Sequence, residues 1–349
     1  MNISRRDFLK AVSVAAGALG LEASGMLKLQ EVLAANGLPP VIWLQGQSCS
    51  GCSVSFLNSV HYKTADDILI NNINLEYHPT LMAAAGDFAI SAASVVRPSP
   101  GELNGLASDW LSGDSGSNFD LNGDGEVNLV DFEKLSKRGY ILIVEGAIPT
   151  GAQGEYCEIA DGLTMIDALD KFSQNASLIV AVGTCASFGG VPASGPNPTG
   201  AMGVKDALNY LGKPKDVINV SGCPVHPDWL VGTLVSALMG QSIPLDIDGR
   251  PMEYFSQRIH ENNRGNCPLK PYDEVHRLGE VGCLEELGCK GKKTKADCYY
   301  RKWNSGGVNE YGVNWCIGAG SPCIGCTEKG FPDGDFAPFY ELGPDSDDD

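Results

Sequence analysis

Twelve cysteines stand in this chain of 349 residues, and seven of them fall in one stretch: Cys267, Cys283, Cys289, Cys298, Cys316, Cys323 and Cys326, with His260 just upstream. Thiolates with a nearby imidazole are donors for zinc and for iron–sulfur clusters, and the same thiols can instead pair as disulfides. The stretch is rich in Gly, Lys, Asn and Pro and short of long apolar runs, so burial alone is not expected to hold it together. Metal or disulfide bonds must do so.

Four further cysteines point the same way from within a regular pattern. The apolar runs Val41–Leu44, Tyr140–Val144, Leu178–Val182 and Val217–Val220 read as buried parallel strands, with Ile73–Tyr77 as a fifth. Helical patterns such as Met165–Phe172 and Val204–Leu211 lie between them, which predicts a doubly wound α/β domain. Cys49 and Cys52 follow the first run, Cys185 the third and Cys223 the fourth. Ligands in such sheets collect beyond the carboxyl ends of the strands, so these loops can present four thiolates to one site. Gly51, Gly183, Gly189, Gly190 and Gly222 leave the backbone room to approach a bulky group. Four thiolates suit a [4Fe–4S] cluster, and a tetrahedral zinc would accept the same set.

The elements that frame these residues set the compartment. Ser4-Arg5-Arg6-Asp7-Phe8-Leu9-Lys10, the small apolar run Ala11–Leu21 and the pair Ala34-Ala35 read as a twin-arginine export signal over residues 1–35. That route carries proteins already folded, so cysteine-bound clusters can be assembled before the chain reaches the periplasm. No apolar stretch of membrane-spanning length follows the signal. The formal net charge of −18 argues against nucleic acid as a partner and favours cationic ones.

One segment breaks the α/β rhythm, from about residue 98 to 137. Asp120, Asn122, Asp124, Glu126 (through its carbonyl), Asn128 and Asp131 stand at positions 1, 3, 5, 7, 9 and 12 of a loop with Gly125 at position 6. That spacing matches an EF-hand-type calcium loop with Asp in place of the usual final Glu, a form that resembles a single dockerin repeat. It predicts a structural Ca2+ site in an inserted loop.

Several stretches together resemble the small, electron-transfer subunit of nickel–iron hydrogenases. They are Cys49-Ser-Gly-Cys52, Glu145-Gly-Ala-Ile-Pro149, Gly183-Thr-Cys185-Ala, Pro196-Asn-Pro-Thr-Gly200, Gly222-Cys223-Pro224, Gly282-Cys283-Leu-Glu-Glu-Leu-Gly-Cys289-Lys-Gly291, Asn314-Trp-Cys316 and Pro322-Cys323-Ile-Gly-Cys326. The resemblance implies a flavodoxin-like proximal-cluster domain over residues 36–250, then an irregular, cluster-stabilised domain over 251–349. It also implies three [4Fe–4S] clusters. Cys49, Cys52, Cys185 and Cys223 would hold the proximal one, Cys298, Cys316, Cys323 and Cys326 the medial, and His260, Cys267, Cys283 and Cys289 the distal.

Many family members have proline where Cys316 stands and carry a medial [3Fe–4S] cluster; the cysteine here implies [4Fe–4S], as in the nickel–iron–selenium relatives. His260 and Cys267 are separated by six residues where two are usual. Oxygen-tolerant relatives add cysteines at the places of Gly51 and Gly190, so an ordinary proximal cluster is expected. Cys157 is left over, as an interface residue or a buried free thiol.

The resemblance implies a heterodimer in which a large subunit, with a Ni–Fe or Ni–Fe–Se centre, activates H2. On this reading the chain would relay the electrons to a c-type cytochrome, which the acidic charge suits, or to a membrane-bound redox partner. Rival readings are a stand-alone periplasmic Fe–S carrier and a zinc- and disulfide-stabilised binding protein. The cluster subunit of respiratory complex I would share the proximal site but lacks the Cys-rich C-terminal half.

Overall fold

A computed structural model describes residues 38–61, 63–82, 86, 106–109, 139–260, 267–305 and 312–340. The export signal and the Asp120–Asp131 loop lie outside the described residues. Strand β1 (Pro40–Gln45) leads to helices α1 (Gly51–Leu57) and α2 (Ala65–Asn71) and strand β2 (Asn74–Tyr77). Strand β3 (Tyr140–Glu145) precedes β4 (Ile148–Pro149), the pair β5 (Glu158–Ala160) and β6 (Leu163–Thr164), and α3 (Met165–Ser173). Next come β7 (Ala176–Val182), α4 (Gly183–Phe188), β8 (Ala201–Met202), α5 (Val204–Tyr210), β9 (Ile218–Val220) and α6 (Pro227–Leu238).

Five of these strands pair in parallel in the order β2-β1-β3-β7-β9. Counting only the sheet's own strands this is 2-1-3-4-5, the flavodoxin-like winding, whose switch point lies between β1 and β3. The five expected strands are all present, within two residues of their expected ends.

Both faces of the sheet are covered because successive side chains point to opposite sides. Val41, Trp43, Ile141, Ile143, Val180, Val182 and Val220 pack with Trp229, Leu230 and Leu234 of α6. Ile42, Leu44, Leu142, Val144, Ile179 and Ala181 pack with α3 and α5 on the other side. Each fully buried Val, Leu or Ile contributes about 1.5–3 kcal/mol. Helix α3 starts at Thr164, whose hydroxyl accepts from the Asp167 amide at 3.3 Å, and buries Met165, Ala168, Leu169 and Phe172 along one stripe. Helix α5 stops one residue short of the expected Leu211, because Gly212 (φ 69°) turns the chain and the Lys213 amide closes onto the Leu208 carbonyl.

Beyond Asp246 regular structure becomes sparse. The described elements are α7 (Met252–Phe255), α8 (Cys298–Arg301) and the antiparallel pair β10 (Trp303–Ser305) and β11 (Gly312–Asn314). Tyr254, Phe255, Ile259, Leu284, Leu287, Trp315 and Ile317 nevertheless join the core cluster on the α6 side, together with Cys267 and Cys323. The join is clamped by Arg250, which is fully buried. Its guanidinium meets Asp246 at 3.0 Å, Glu328 at 3.1 Å and the Thr327 carbonyl at 3.0 Å, with Asp248 at 3.7 Å.

Candidate iron–sulfur sites

The first site forms at the sheet's switch point. Cys49 sits exposed in the loop after β1, and Cys52 lies in the first turn of α1. Ser50 adopts φ 60° to turn the chain between them. Cys185 lies in α4, which begins directly at the end of β7, and Cys223 follows β9. The packing leaves no room for larger residues. A Cβ on Gly183 would stand 2.5 Å from the Cys52 sulfur, and one on Gly190 would stand 2.9 Å from the Cys185 Cα. Both glycines also have positive φ, so a side chain at either position would be strained and would force its neighbours to shift.

The four thiols feel one another. Burial, then the neighbouring Glu145, pushes the Cys52 thiol well above its usual range. Burial, then Cys223, raises Cys185 to about 11, and burial, then Cys49, raises Cys223. Four thiolates collected here would repel in a low-dielectric setting unless a cationic group sat among them. The donor set therefore fits a polynuclear iron core.

The second site gathers Cys298 at the start of α8, Cys316 at the head of a 3-10 turn, and Cys323 and Cys326 in the following loop. Burial, then Cys326, raises Cys298 well above its usual range. Burial raises Cys323 to about 12, and burial, then Cys323, raises Cys326 further. Side chains from the sheet edge hold this loop: the Thr184 hydroxyl donates to the Cys326 carbonyl, and the Ser221 hydroxyl donates to the Thr327 carbonyl at 2.7 Å.

The third site is a cavity lined by His260, Cys267, Cys283 and Cys289, with Glu285 and Lys292 at its edge. Burial lowers the His260 pKa, and Lys292 and Lys270 lower it further. The imidazole is thus favoured in its neutral, ligand-competent form.

Two contacts string the sites together. The Thr184 hydroxyl, one residue before Cys185, donates to the Cys326 carbonyl, linking first to second. The Cys323 amide donates to the Cys289 sulfur at 3.4 Å, linking second to third. Among the described residues, no three His, Cys, Asp or Glu side chains converge on a point that would hold a single metal ion. A zinc needs all its ligands about 2.0–2.3 Å from one centre, whereas a four-iron core spreads its thiolates over separate irons.

One cavity brings His260, Cys267, Cys283 and Cys289 together despite the wide spacing between His260 and Cys267, and the expected thiols of the first and of the second site lie close enough to act on one another. Cys157 stands apart, packed against the core beside α3, with its thiol pushed up by burial. Glu145, Thr184, Ser221 and Arg250 were not singled out by the sequence as supporting groups. For Glu145 a signal existed: it is a charge closing the five-residue apolar run Tyr140–Val144.

Fold and thiol groups together define an iron–sulfur electron-transfer protein on a flavodoxin-like sheet. Residues 49–237 match the family model described as NADH ubiquinone oxidoreductase, 20 Kd subunit, and residues 255–340 match the C-terminal model of the NiFe/NiFeSe hydrogenase small subunit. The chain is 37% identical to the periplasmic [NiFeSe] hydrogenase small subunit of Desulfomicrobium baculatum, covering 97% of this chain and 99% of that one. It is 36% identical to the periplasmic [NiFe] hydrogenase small subunit 1 of Nitratidesulfovibrio vulgaris, over 97% and 93%. The solved structure of the reduced, active Ni-Fe-Se hydrogenase of Desulfomicrobium baculatum superposes with a TM-score of 0.68 at 36% identity, covering 87% of this chain and 99% of that one. The chain belongs to the small-subunit family of nickel–iron hydrogenases. It is the electron-transfer subunit of a heterodimeric hydrogenase, paired with a large subunit that holds the nickel–iron centre. Among the described residues no helix is long and apolar enough to cross a membrane.

Proposed function

We propose that this protein passes electrons through three [4Fe–4S] clusters between the H2-activating centre of its large subunit and an acceptor that docks near His260. Cys49, Cys52, Cys185 and Cys223 hold the proximal cluster in this reading. Cys298, Cys316, Cys323 and Cys326 hold the medial, and His260, Cys267, Cys283 and Cys289 the distal. The observation that carries it is a pair of contacts, the Thr184 hydroxyl beside Cys185 to the Cys326 carbonyl and the Cys323 amide to the Cys289 sulfur, which ties three thiol-rich sites one to the next. Each cluster, when bound, supplies a one-electron redox centre. The chain's residues space those centres, exclude water and tune their potentials through ligation and burial.

Cys49 is exposed, which supports a proximal end of the line at the surface, where a large subunit would cover it. At the other end, a histidine ligand replaces a thiolate with a neutral donor, which favours a higher distal potential. The relatives named periplasmic and the Arg5-Arg6 signal support export of the folded protein by the twin-arginine route. A cationic c-type cytochrome or a membrane-bound carrier is the proposed acceptor, and the Asp120–Asp131 loop is proposed to bind Ca2+. Metal analysis of the purified heterodimer tests the assignment: about twelve irons are expected from three four-iron clusters, alongside nickel and calcium. About eight irons would remove one cluster from the scheme.

A further inference from the structure

Glu145 ends β3 beneath the Cys49–Cys52 loop, 2% exposed. One carboxylate oxygen accepts from the Ser48 hydroxyl at 3.2 Å, the Cys52 amide at 3.1 Å and the Ser53 amide at 3.3 Å. The other accepts from the Trp43 indole at 3.1 Å, the Gln45 amide at 2.9 Å and the Ser53 hydroxyl at 2.5 Å. Four of these groups, two backbone amides, an indole and a primary amide, can only donate through the atoms in contact, so the pattern is that of a carboxylate.

Among the described residues its charge has no cationic partner: no Lys, Arg or His there forms an ion pair with Glu145. The closest imidazole in the network is His78, fully buried, whose Nδ1 accepts from the Thr80 and Leu81 amides at 3.1 and 3.3 Å. With Nδ1 so occupied, Nε2 carries the proton and faces the Ser53 hydroxyl at 3.4 Å. That ring is neutral, burial holding its pKa down near 4. A buried carboxylate held by neutral donors keeps a negative field on its surroundings, and the Cys52 amide that it accepts from sets it directly beside the first site.

We infer that Glu145 is a positioning and potential-tuning residue for the proximal cluster: its donors fix the Cys49–Cys52 loop, and its negative charge lowers the cluster's reduction potential. The inference rests on Cys49, Cys52, Cys185 and Cys223 holding a cluster. Fixed negative charge disfavours adding an electron to a neighbouring centre, in line with the dependence of cluster potentials on net charge and hydrogen bonding. The six donors serve two ends at once, since they tie the loop to β3 and give both oxygens of a buried carboxylate their hydrogen bonds.

The test is a redox titration of the heterodimer followed by electron paramagnetic resonance, with iron counted in each sample. Glu145→Gln keeps the shape and removes the charge. It should raise the proximal potential by at least a tenfold change in the one-electron equilibrium, about 59 mV, while the medial and distal potentials stay put. Trp43→Phe removes one neutral donor, leaves the carboxylate with five, and should move the same potential down. Opposite signs from the two variants are the signature, which a purely structural role would not produce. If Glu145→Gln fails to load iron, the Trp43→Phe shift decides alone. An unmoved proximal potential in an iron-replete variant overturns the role of Glu145. A native heterodimer with no signal from the Cys49/Cys52/Cys185/Cys223 site overturns the assignment beneath it.

Discussion

The two halves of this subunit hold cysteines in different ways. Between Pro40 and Val220 the sheet makes the site: strands β1, β3 and β7 are buried on both faces, and the loops at their ends only deliver thiols to a place the core has fixed. Beyond Arg250 the relation inverts. Helices α7 and α8 have four residues each and β10 and β11 three. Cys267 and Cys323 are themselves part of the apolar core, with Cys289 and Cys298 packed against it. The first half can fold and then bind; the second has too little regular backbone to define its shape unless its sulfurs are tied. A metal site that doubles as core is a folding element as well as a cofactor site.

Removing the clusters should therefore divide the molecule. In chain stripped of iron, amide protection over residues 251–340 is expected to collapse, while that of Ile141–Glu145 and Leu178–Val182 persists. Hydrogen exchange with mass spectrometry on holo and stripped protein reads this directly. Equal loss in both halves would mean that the sheet, too, depends on its cluster, and the contrast would fail.

Cutting the clamp between the halves should be the next largest effect. Arg250→Met leaves Asp246 and Glu328, at 3.0 and 3.1 Å from the guanidinium, without their counter-charge. Breaking a buried pair of this kind costs about 3–5 kcal/mol. Because Glu328 also accepts from the Lys295 amide at 2.6 Å, the loosening should spread towards Cys323 and Cys326 rather than into the sheet. A lowered thermal midpoint with increased exchange confined to residues beyond Asp246 is expected. A native-like midpoint would show that the sulfur sites alone hold the halves together.

The legibility of the sequence follows the same division. The strands were readable because a doubly buried strand needs an unbroken apolar run, and Val41–Leu44, Tyr140–Val144 and Leu178–Val182 supply it locally. The grouping of Cys49, Cys52, Cys185 and Cys223 followed from where those runs end. In the second half the grouping came from family spacing, since no periodicity there foretells that the Cys326 carbonyl meets the Thr184 hydroxyl. The supports were hidden for a simple reason: their partners are remote. Trp43 and Glu145 are 102 residues apart, and Arg250 and Glu328 are 78 apart. Their meeting depends on sheet register and on a loop's return path, which no local pattern encodes.

A subtler change probes the second half without unfolding it. Cys316 has φ −52° and ψ −57°, a backbone within reach of proline's fixed φ. Among the described residues its amide donates to no backbone carbonyl, so Cys316→Pro exchanges a thiol for a neutral ring with little distortion. The expected result is a medial [3Fe–4S] cluster, seen as a new signal in the oxidised sample, with iron falling by about one per heterodimer. An unchanged spectrum would sever Cys316 from the medial site.

The smallest expected effect lies where the halves touch beside α6. His226 caps this helix, its Nδ1 accepting from the Asp228 amide at 3.2 Å, and its Nε2–H donates to the Lys302 carbonyl ahead of β10. Burial holds His226 down near 3, with Arg301 and His61 adding to the depression against the Lys302 bond. Burial lifts Asp228 to about 7, opposed by Arg301 and aided by Asp297. The two groups have opposite linkage. Folded His226 binds fewer protons than the unfolded chain between about pH 3 and 6.5, so its contribution is lost as pH falls through that window. Folded Asp228 binds more protons between about pH 4 and 7, so its contribution is lost as pH rises. Side by side they nearly cancel. Asp228→Asn should leave the His226 slope exposed, with the thermal midpoint falling as pH drops from 7 to 5. His226→Gln should leave the Asp228 slope, with the midpoint rising over the same interval. Parallel pH profiles in both variants would show that this contact does not couple the halves through proton binding.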